Sequence, residues 1–367
     1  MSILSQEHRR VAIIMANLIV MLGMQGCAHV LFPVEEPVSE LVYLETEDGW
    51  QIALHHFGPP EGEPTRGTPL IICHGISSNR YNWDLSEDLS FPRYIAELGF
   101  DVYLLELRGS GASEKPTWFG EKSYEYNFDD YVLYDLPAAI DYVAATTPTG
   151  KVQWVGHSMG TMVMYAYLQR MGSEKIQSVL AVGSPPSLFD GNESLSFGIS
   201  LFPLVDWFYR ELPAAVIASL GAPVAHPGWN APMHILWNYD NVDPHIARTA
   251  SAHAVDNLSS GVVRQLVGPD LSGEFHSTDG RYNYTQGLSA IEVPIFFVVG
   301  ALDQLAPPTT MLSAYRRVGS ADKRIEILSR ANGYLHDYGH VDMVLGESAP
   351  SEVFPLLAGW LVGHDAH

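Results

Sequence analysis

Short apolar runs and stretches of helical spacing alternate along most of the chain. Leu41 to Glu47 and Trp50 to Phe57 read as two strands around Asp48-Gly49, a strong hairpin signal. A loop rich in Gly, Pro and Glu follows at 58–68. Leu70 to Cys73 is a short apolar strand and Val102 to Leu107 another. Phe128 to Ala145 carries helical spacing, with Tyr131, Leu136, Ile140 and Val143 as inward positions. Val152 to Val155 is a strand, and Met159 to Met171, rich in Met, Tyr and Ala, is a helix. Gln177 to Val182, Pro294 to Val299 and Arg324 to Leu328 are further strands, and Leu356 to Val362 belongs to a closing helix. Buried strands separated by helices predict an α/β fold, with a mostly parallel central sheet covered by helices on both faces.

The alternation stops between about Ser184 and Ile291. That interval holds Phe202, Trp207, Phe208, Tyr209, Trp229, Trp237 and Tyr239. It is too long for a loop and too apolar for a disordered linker. The expectation is an inserted cap subdomain over the C-terminal edge of the sheet, most of its aromatics serving cap-to-core packing. The core is then split into 41–183 and 292–367 around a cap or lid at 184–291.

The N-terminus has its own pattern. His8, Arg9 and Arg10 form a short basic region, and Val11 to Met24 runs without a charge. The run is shorter than the ~20 residues of a membrane span and fits the core of a signal peptide over 1–26. Met24-Gln25-Gly26-Cys27 resembles a bacterial lipobox, in which a small residue precedes a cysteine that takes lipid. Lipidation at Cys27, with 27–40 as a Pro-containing spacer, predicts a lipid-anchored protein of the bacterial cell envelope, on the outer membrane or periplasmic face. An uncleaved anchor and a cleaved soluble form compete with it, since no Asp, Glu, Lys or Arg occurs between Arg10 and Glu35.

Composition narrows the partners. Hydrophobic residues make up 47% of the 367 and charged ones 17%, which permits a large core and argues against global disorder. Lys and Arg total 20 against 42 Asp and Glu, a net charge of -22. Such a surface repels phosphate backbones, so nucleic acid is not an expected partner; solubility or a saline habitat explains the charge as well as any function does. The two cysteines, Cys27 and Cys73, make no disulfide framework. Cys73 sits in Leu70-Ile71-Ile72-Cys73 and reads as a small buried residue. No Cys/His spacing suggests a metal, and no cofactor is expected.

The chemistry is concentrated in Val152-Gln153-Trp154-Val155-Gly156-His157-Ser158-Met159-Gly160, a strand, then G-x-S-x-G, then a helix. The chain turns so sharply there that Ser158 is strained, and glycines at 156 and 160 let strand and helix approach. This is the nucleophile turn of the α/β-hydrolase fold, whose chain order is Ser, then acid, then His. Asp303, just past the strand Pro294 to Val299, is the candidate acid; a cap for the helix starting near Pro307 is its alternative role. Of His336 and His340, the second follows Gly339 and begins the run into the closing segment, and is the candidate base. The Met159 N–H, at the helix N-terminus, can donate to an oxyanion. A second donor is expected from Ile76, in Cys73-His74-Gly75-Ile76-Ser77-Ser78. His74 reads as structural, holding this loop, and His55 and His56 as packing or surface residues.

Beyond the fold, several segments resemble the acid lipases, the gastric and lysosomal lipases and their relatives. They are Phe128-Asp129-Asp130-Tyr131 through Tyr134-Asp135-Leu136-Pro137-Ala138 to Ile140-Asp141, Thr46-Glu47-Asp48-Gly49, His74-Gly75 with Ser78 and Trp83, Gly156-His157-Ser158 with Gly160-Thr161, and His340 with Asp342. The resemblance spans roughly Leu41 to Leu361 and is thin across the cap. Met159 stands where acid lipases place a polar residue, and Arg108-Gly109-Ser110-Gly111-Ala112-Ser113 looks instead like ordinary esterases. The resemblance implies Ser158, Asp303 and His340 as a triad, Ile76 and Met159 as oxyanion donors, and hydrolysis of a lipid or small-molecule ester through an acyl-enzyme. Acyl transfer by the same residues is the alternative, and a non-catalytic lipid-binding surface lipoprotein the alternative from another class.

Overall fold

The computed structural model describes residues 28–34, 39–62, 65–116, 122, 124–187, 211–225, 235–267 and 274–366. The expected signal peptide at 1–26, Cys27, and the cap aromatics Phe202, Trp207, Phe208, Tyr209 and Trp229 lie outside them. No helix among the described residues is long and apolar enough to cross a membrane.

The main sheet has eight strands. They are β1 (Glu40–Glu45), β2 (Gln51–Phe57), β3 (Leu70–Cys73), β4 (Val102–Glu106), β5 (Val152–His157), β6 (Ile176–Val182), β9 (Ile295–Gly300) and β10 (Lys323–Leu328). A two-stranded pair in the insertion, β7 (Glu211–Leu212) and β8 (Leu258–Ser259), completes the numbering. The sheet order is β1-β2-β4-β3-β5-β6-β9-β10. The β1–β2 hairpin and the β2–β4 pair are antiparallel, and every pairing from β4 to β10 is parallel.

Side chains on the central strands alternate between two apolar layers, as the two-residue period of a strand requires. Ile71, Tyr103, Leu105, Trp154, Phe297 and Val299 face one layer. There they meet the helix Met159–Met171 and Tyr131, Leu136, Ile140 and Val143. Leu70, Ile72, Val102, Leu104, Val155, Phe296 and Val298 face the other layer, under the helix Phe91–Glu97 and the closing helix Phe354–Gly363. Residues 128–144 are helical with one π-helical turn at Tyr131–Asp135. That turn carries the Asp135 carboxylate to Arg108, which is 1% exposed. Arg108 Nε lies 2.7 Å from Asp135 and its Nη1 2.5 Å from Asp48. A guanidinium buried this deeply is tolerable only because two carboxylates face its fork.

The described residues of the insertion pack in more than one place. Trp237, Tyr239, Val242, Ala247 and Ala250 form a separate apolar cluster with Leu85 and Leu345. Val262, Leu266, Phe275, Tyr284, Leu288 and Ile291 instead join the main core layer beside Met159 and Met162.

Register decides where the strands end. Cys73 pairs with Gly156, His157 with Val182, and Val182 with Val298. The C-terminal ends of β3, β5, β6 and β9 therefore stop at one level, and the loops leaving them share one rim.

Candidate active site

Ser158 sits between β5 and the helix Met159–Met171 at φ 55° and ψ −124°. Only one other non-glycine residue among the described ones, Ser77, has positive φ. Such a conformation costs on the order of 1–3 kcal/mol and persists only where the surroundings enforce it. Here the enforcement is steric. A Cβ on Gly160 would lie 2.5 Å from the Cys73 carbonyl oxygen and 2.6 Å from that of His74. A Cβ on Gly156 would lie 2.4 Å from Thr161 Oγ1. The Ser158 N–H donates to the Val182 carbonyl at 2.9 Å, tying the turn to the end of β6. The loop after β3 passes directly beside it: the Gly75 Cβ position is 3.1 Å from Ser158 Cβ. Ile76 follows in that loop, and Met159 opens the helix.

His340 and Asp303 meet on the same rim. His340 Nδ1 lies 2.8 Å from Asp303 Oδ2, with both residues buried. The second oxygen, Oδ1, accepts the N–H groups of Leu305 and Ala306 at 2.9 and 2.8 Å. One oxygen thus faces the histidine and the other holds its own turn. Pro307 stands at the N-cap position of the helix Pro308–Arg317 without a side-chain hydrogen bond, and Asp303 does not cap that helix. Gly183 makes the space: its Cβ would come within 3.2 Å of both Asp303 Oδ2 and His340 Cε1. His336 is set apart, its Nδ1 buried without a hydrogen bond. Among the described residues no hydrogen bond joins the Ser158 hydroxyl to His340; in apo sites this contact often closes only with substrate present.

Two further histidines hold the framework. The His74 Nδ1–H donates to the Gly75 carbonyl at 2.8 Å, and its Nε2 accepts the Leu107 N–H at 3.2 Å. One ring nitrogen donates and the other accepts, so the ring is neutral, and burial lowers its pKa. His74 joins the β3 loop to the end of β4, as a structural histidine should. His157 was not singled out in the sequence beyond its place in the motif. Its Nε2 donates to the His340 carbonyl at 3.0 Å, and its ring lies 4.6 Å from that of His340. Asn82 Oδ1 lies 3.0 Å from Nδ1. Burial, reinforced by the facing His340, holds the His157 pKa well below the ordinary value. Each ring nitrogen thus faces an oxygen acceptor, and a neutral ring, with one N–H, serves only one of them.

Asp342 is the other buried group beside His340. It accepts the N–H groups of Gly339 and Asn238, both at 3.0 Å, and the Asn241 amide at 3.2 Å. Burial raises its pKa to about 6. Cys73 is buried and free, with burial pushing its thiol well up, as expected of a packing residue. His55 is buried against Glu106 at 2.9 Å, and His56 lies 2.6 Å from Asp101. No group of His, Cys, Asp and Glu side chains among the described residues could hold a metal.

A sheet of this order, with a strained serine at the end of a central strand and a His–Asp pair on neighbouring ends, defines an α/β hydrolase. The chain belongs to the alpha/beta hydrolase fold family, whose profile matches residues 68–331, and is a carboxylic ester hydrolase of lipase/esterase type. It is similar to the gastric triacylglycerol lipase of Rattus norvegicus, 31% identical over 346 residues that cover 84% of this chain and 85% of that protein. Lipase lipl-3 of Caenorhabditis elegans is 25% identical over 351 residues, covering 84% and 85%. Among solved structures, an esterase from Exiguobacterium antarcticum superposes with a TM-score of 0.55 at 15% identity, covering 88% of this chain and 99% of that one. The monoacylglycerol lipase of Paleococcus ferrophilus gives 0.54 at 17%, covering 85% and 99%. These two likenesses concern the fold.

The two buried neutral histidines have a consequence for stability. Their folded pKa values lie below the unfolded value near 6.5, so below that pH the unfolded chain binds protons that the native rings refuse. Their contribution is complete above about pH 6.5 and is lost as pH falls, by at most ~1.4 kcal/mol per unit for each ring. The stability gap between wild type and His157→Gln should therefore narrow as pH drops from 7 to 5. Urea unfolding across that range measures it, and a gap that stays constant would contradict a neutral His157.

Proposed function

We propose that the chain cleaves apolar acyl esters by two-step acyl transfer at Ser158. The observation that carries this reading is the 2.8 Å His340–Asp303 bond on the rim where the strained Ser158 turn stands. His340 takes the Ser158 proton as the hydroxyl attacks the ester carbonyl, and Asp303 orients and stabilises the imidazolium. The N–H groups of Ile76 and Met159 receive the oxyanion, the first from the loop against Ser158, the second from the helix N-terminus. His340 then protonates the departing alcohol, and water, deprotonated by the same ring, cleaves the acyl-enzyme. Acyl transfer to another alcohol and non-catalytic lipid binding find no support in the relatives above.

The acyl group is assigned to the cap. Trp237 is buried in the cluster that bridges the cap to Leu345, close behind His340, so apolar side chains reach the rim from that side. Each buried acyl CH₂ contributes about 0.8 kcal/mol, and six would contribute on the order of 5 kcal/mol if fully desolvated. The anchor belongs to the same proposal: lipid on Cys27 would hold the site near apolar esters at a bacterial envelope membrane, the outer one favoured.

Four experiments test these claims. Ser158→Ala should lose about 10⁴-fold or more in kcat while remaining folded, as triad deletions do. His340→Ala should be far more damaging than His336→Ala, and the reverse order would move the base to His336. Against p-nitrophenyl esters from acetate to palmitate, kcat/KM should rise into the medium or long chains. A steady fall from acetate upward, unchanged in Trp237→Ala, would remove the acyl-pocket reading. Metabolic palmitate labelling of wild type should exceed that of Cys27→Ser; equal labelling rejects the lipid anchor.

A further inference from the structure

The turn that carries Ile76 is not held by the core alone. Past Ile76 the chain enters Ser77, whose φ of 54° is strained for a residue with a Cβ. What enforces it comes from the insertion, 253–256. The Asp256 N–H donates to the Ser77 carbonyl at 3.0 Å, and Ser77 Oγ donates to the Asp256 carbonyl at 2.5 Å. Ser78 Oγ reaches the Ala254 carbonyl at 2.9 Å. Both protons of the Asn79 amide are used, one on the His253 carbonyl at 2.8 Å and one on Asp256 Oδ2 at 2.9 Å.

The Asp256 carboxylate ties in a third segment. Its Oδ2 also accepts the Gly111 N–H at 2.8 Å, and its Oδ1 lies 2.5 Å from Lys115 Nζ. The loop after β4 is fixed in turn by Glu106, which accepts the N–H groups of Ala112 and Arg80 at 2.7 and 2.9 Å. Asp256 is therefore the shared acceptor of the Ile76 turn and the loop after β4, while its own backbone belongs to the insertion. The residue is largely buried. A carboxylate so placed fixes distances among the three segments through charge-assisted bonds, which are shorter and stronger than neutral ones.

We propose that Asp256 is a positioning residue for ester hydrolysis, setting the Ile76 N–H against Ser158 by fixing the strained Ser77 turn to the insertion through Asn79. This rests on the ester-hydrolase reading of Ser158 and Ile76 and goes beyond it, because it places control of one oxyanion donor outside the core. A donor displaced by an ångström no longer meets the developing oxyanion, although substrate still binds. The defect is thus one of kcat.

The test uses the full-length chain, with active sites counted by fluorophosphonate labelling carried to completion. Asp256→Asn keeps the shape but loses the charge that Lys115 and the Gly111 N–H require. With p-nitrophenyl butyrate, kcat per labelled site should fall roughly 10- to 100-fold with KM within about twofold, less than the roughly 100- to 1000-fold for outright loss of one oxyanion donor, because the donor is displaced and not removed. Inhibition by butylboronic acid, which mimics the tetrahedral intermediate, should weaken by the same factor as kcat/KM, while the pH midpoint of kcat/KM stays put. Asn79→Ala should show the same signature, and the double variant should lose little more than the worse single one, as coupled residues do. A kcat per labelled site within about twofold of wild type in both single variants overturns the proposal, as does a loss not mirrored by the boronic acid. If Asp256→Asn does not fold, Asn79→Ala decides alone by the same criteria. A wild type that fails to label would instead sink the ester-hydrolase reading itself.

Discussion

The approach of Gly160 to the carbonyls of Cys73 and His74 is the constraint on which the site depends. At 2.5 and 2.6 Å from an imagined Cβ, there is no room for any side chain, and neither carbonyl belongs to a flexible group. Because the helix Met159–Met171 can lie that close to the end of β3, the Ser158 turn can be tight, and its φ of 55° follows from the tightness. The same approach lays the loop after β3 against Ser158, so that one steric fact sets nucleophile, helix N-terminus and neighbouring loop together. Trp154 reinforces it, its ring N–H donating to the Gly160 carbonyl at 3.0 Å. The strain is held by close packing in the core, where each element has little freedom to relax.

Around this rigid centre, the remaining parts of the rim are fixed by polar contacts with the insertion. The His340 loop is held by Leu236, whose carbonyl accepts the Val341 N–H at 2.9 Å, and by Asn238 and Asn241 through Asp342. The Ile76 turn is held by 253–256. The insertion thus supports both the Ile76 turn and the His340 loop. Buried Asp342 accepts that role at a cost, since a carboxylate surrounded by neutral donors with no facing cation loses hydration, and its pKa climbs to about 6.

Much of the core was legible because its signals are local. The strand Leu70–Cys73 and the helix Met159–Met171 have the bounds that periodicity gives them, and Tyr131, Leu136, Ile140 and Val143 are all buried. The helix Phe91–Glu97 went unread, although Ser90 caps it and Pro92 lies in its first turn. It is short, and its neighbours Trp83 and Phe100 blur its face. Chain order also points to His340 beside Asp303, and the two meet at 2.8 Å on strand ends that the register of β6 and β9 brings together. What stayed invisible is long-range polar pairing. Nothing near Arg108 announces Asp135 and Asp48 as its partners, and nothing near Asp256 announces Asn79 and Gly111. Hydrogen bonds between distant segments have no period, so no window of sequence contains them.

His157 shows how these two kinds of information meet. Its position is fixed locally, one residue before Ser158 and at the end of β5, where a side chain must turn into the layer that holds Trp83. Its function is fixed non-locally, by the carbonyl of His340 at 3.0 Å. A neutral ring is the right group for this place. A cation there would stand 4.6 Å from the ring of His340 and oppose any positive charge on it. An aliphatic side chain would leave the His340 carbonyl buried without a donor, at a cost of roughly 1–3 kcal/mol. Burial therefore does two things with one effect: it keeps His157 uncharged beside the ring of His340, and it makes the bond from Nε2 to the His340 backbone worth more than it would be in water. The strand that leads to Ser158 and the loop that carries His340 are joined through His157.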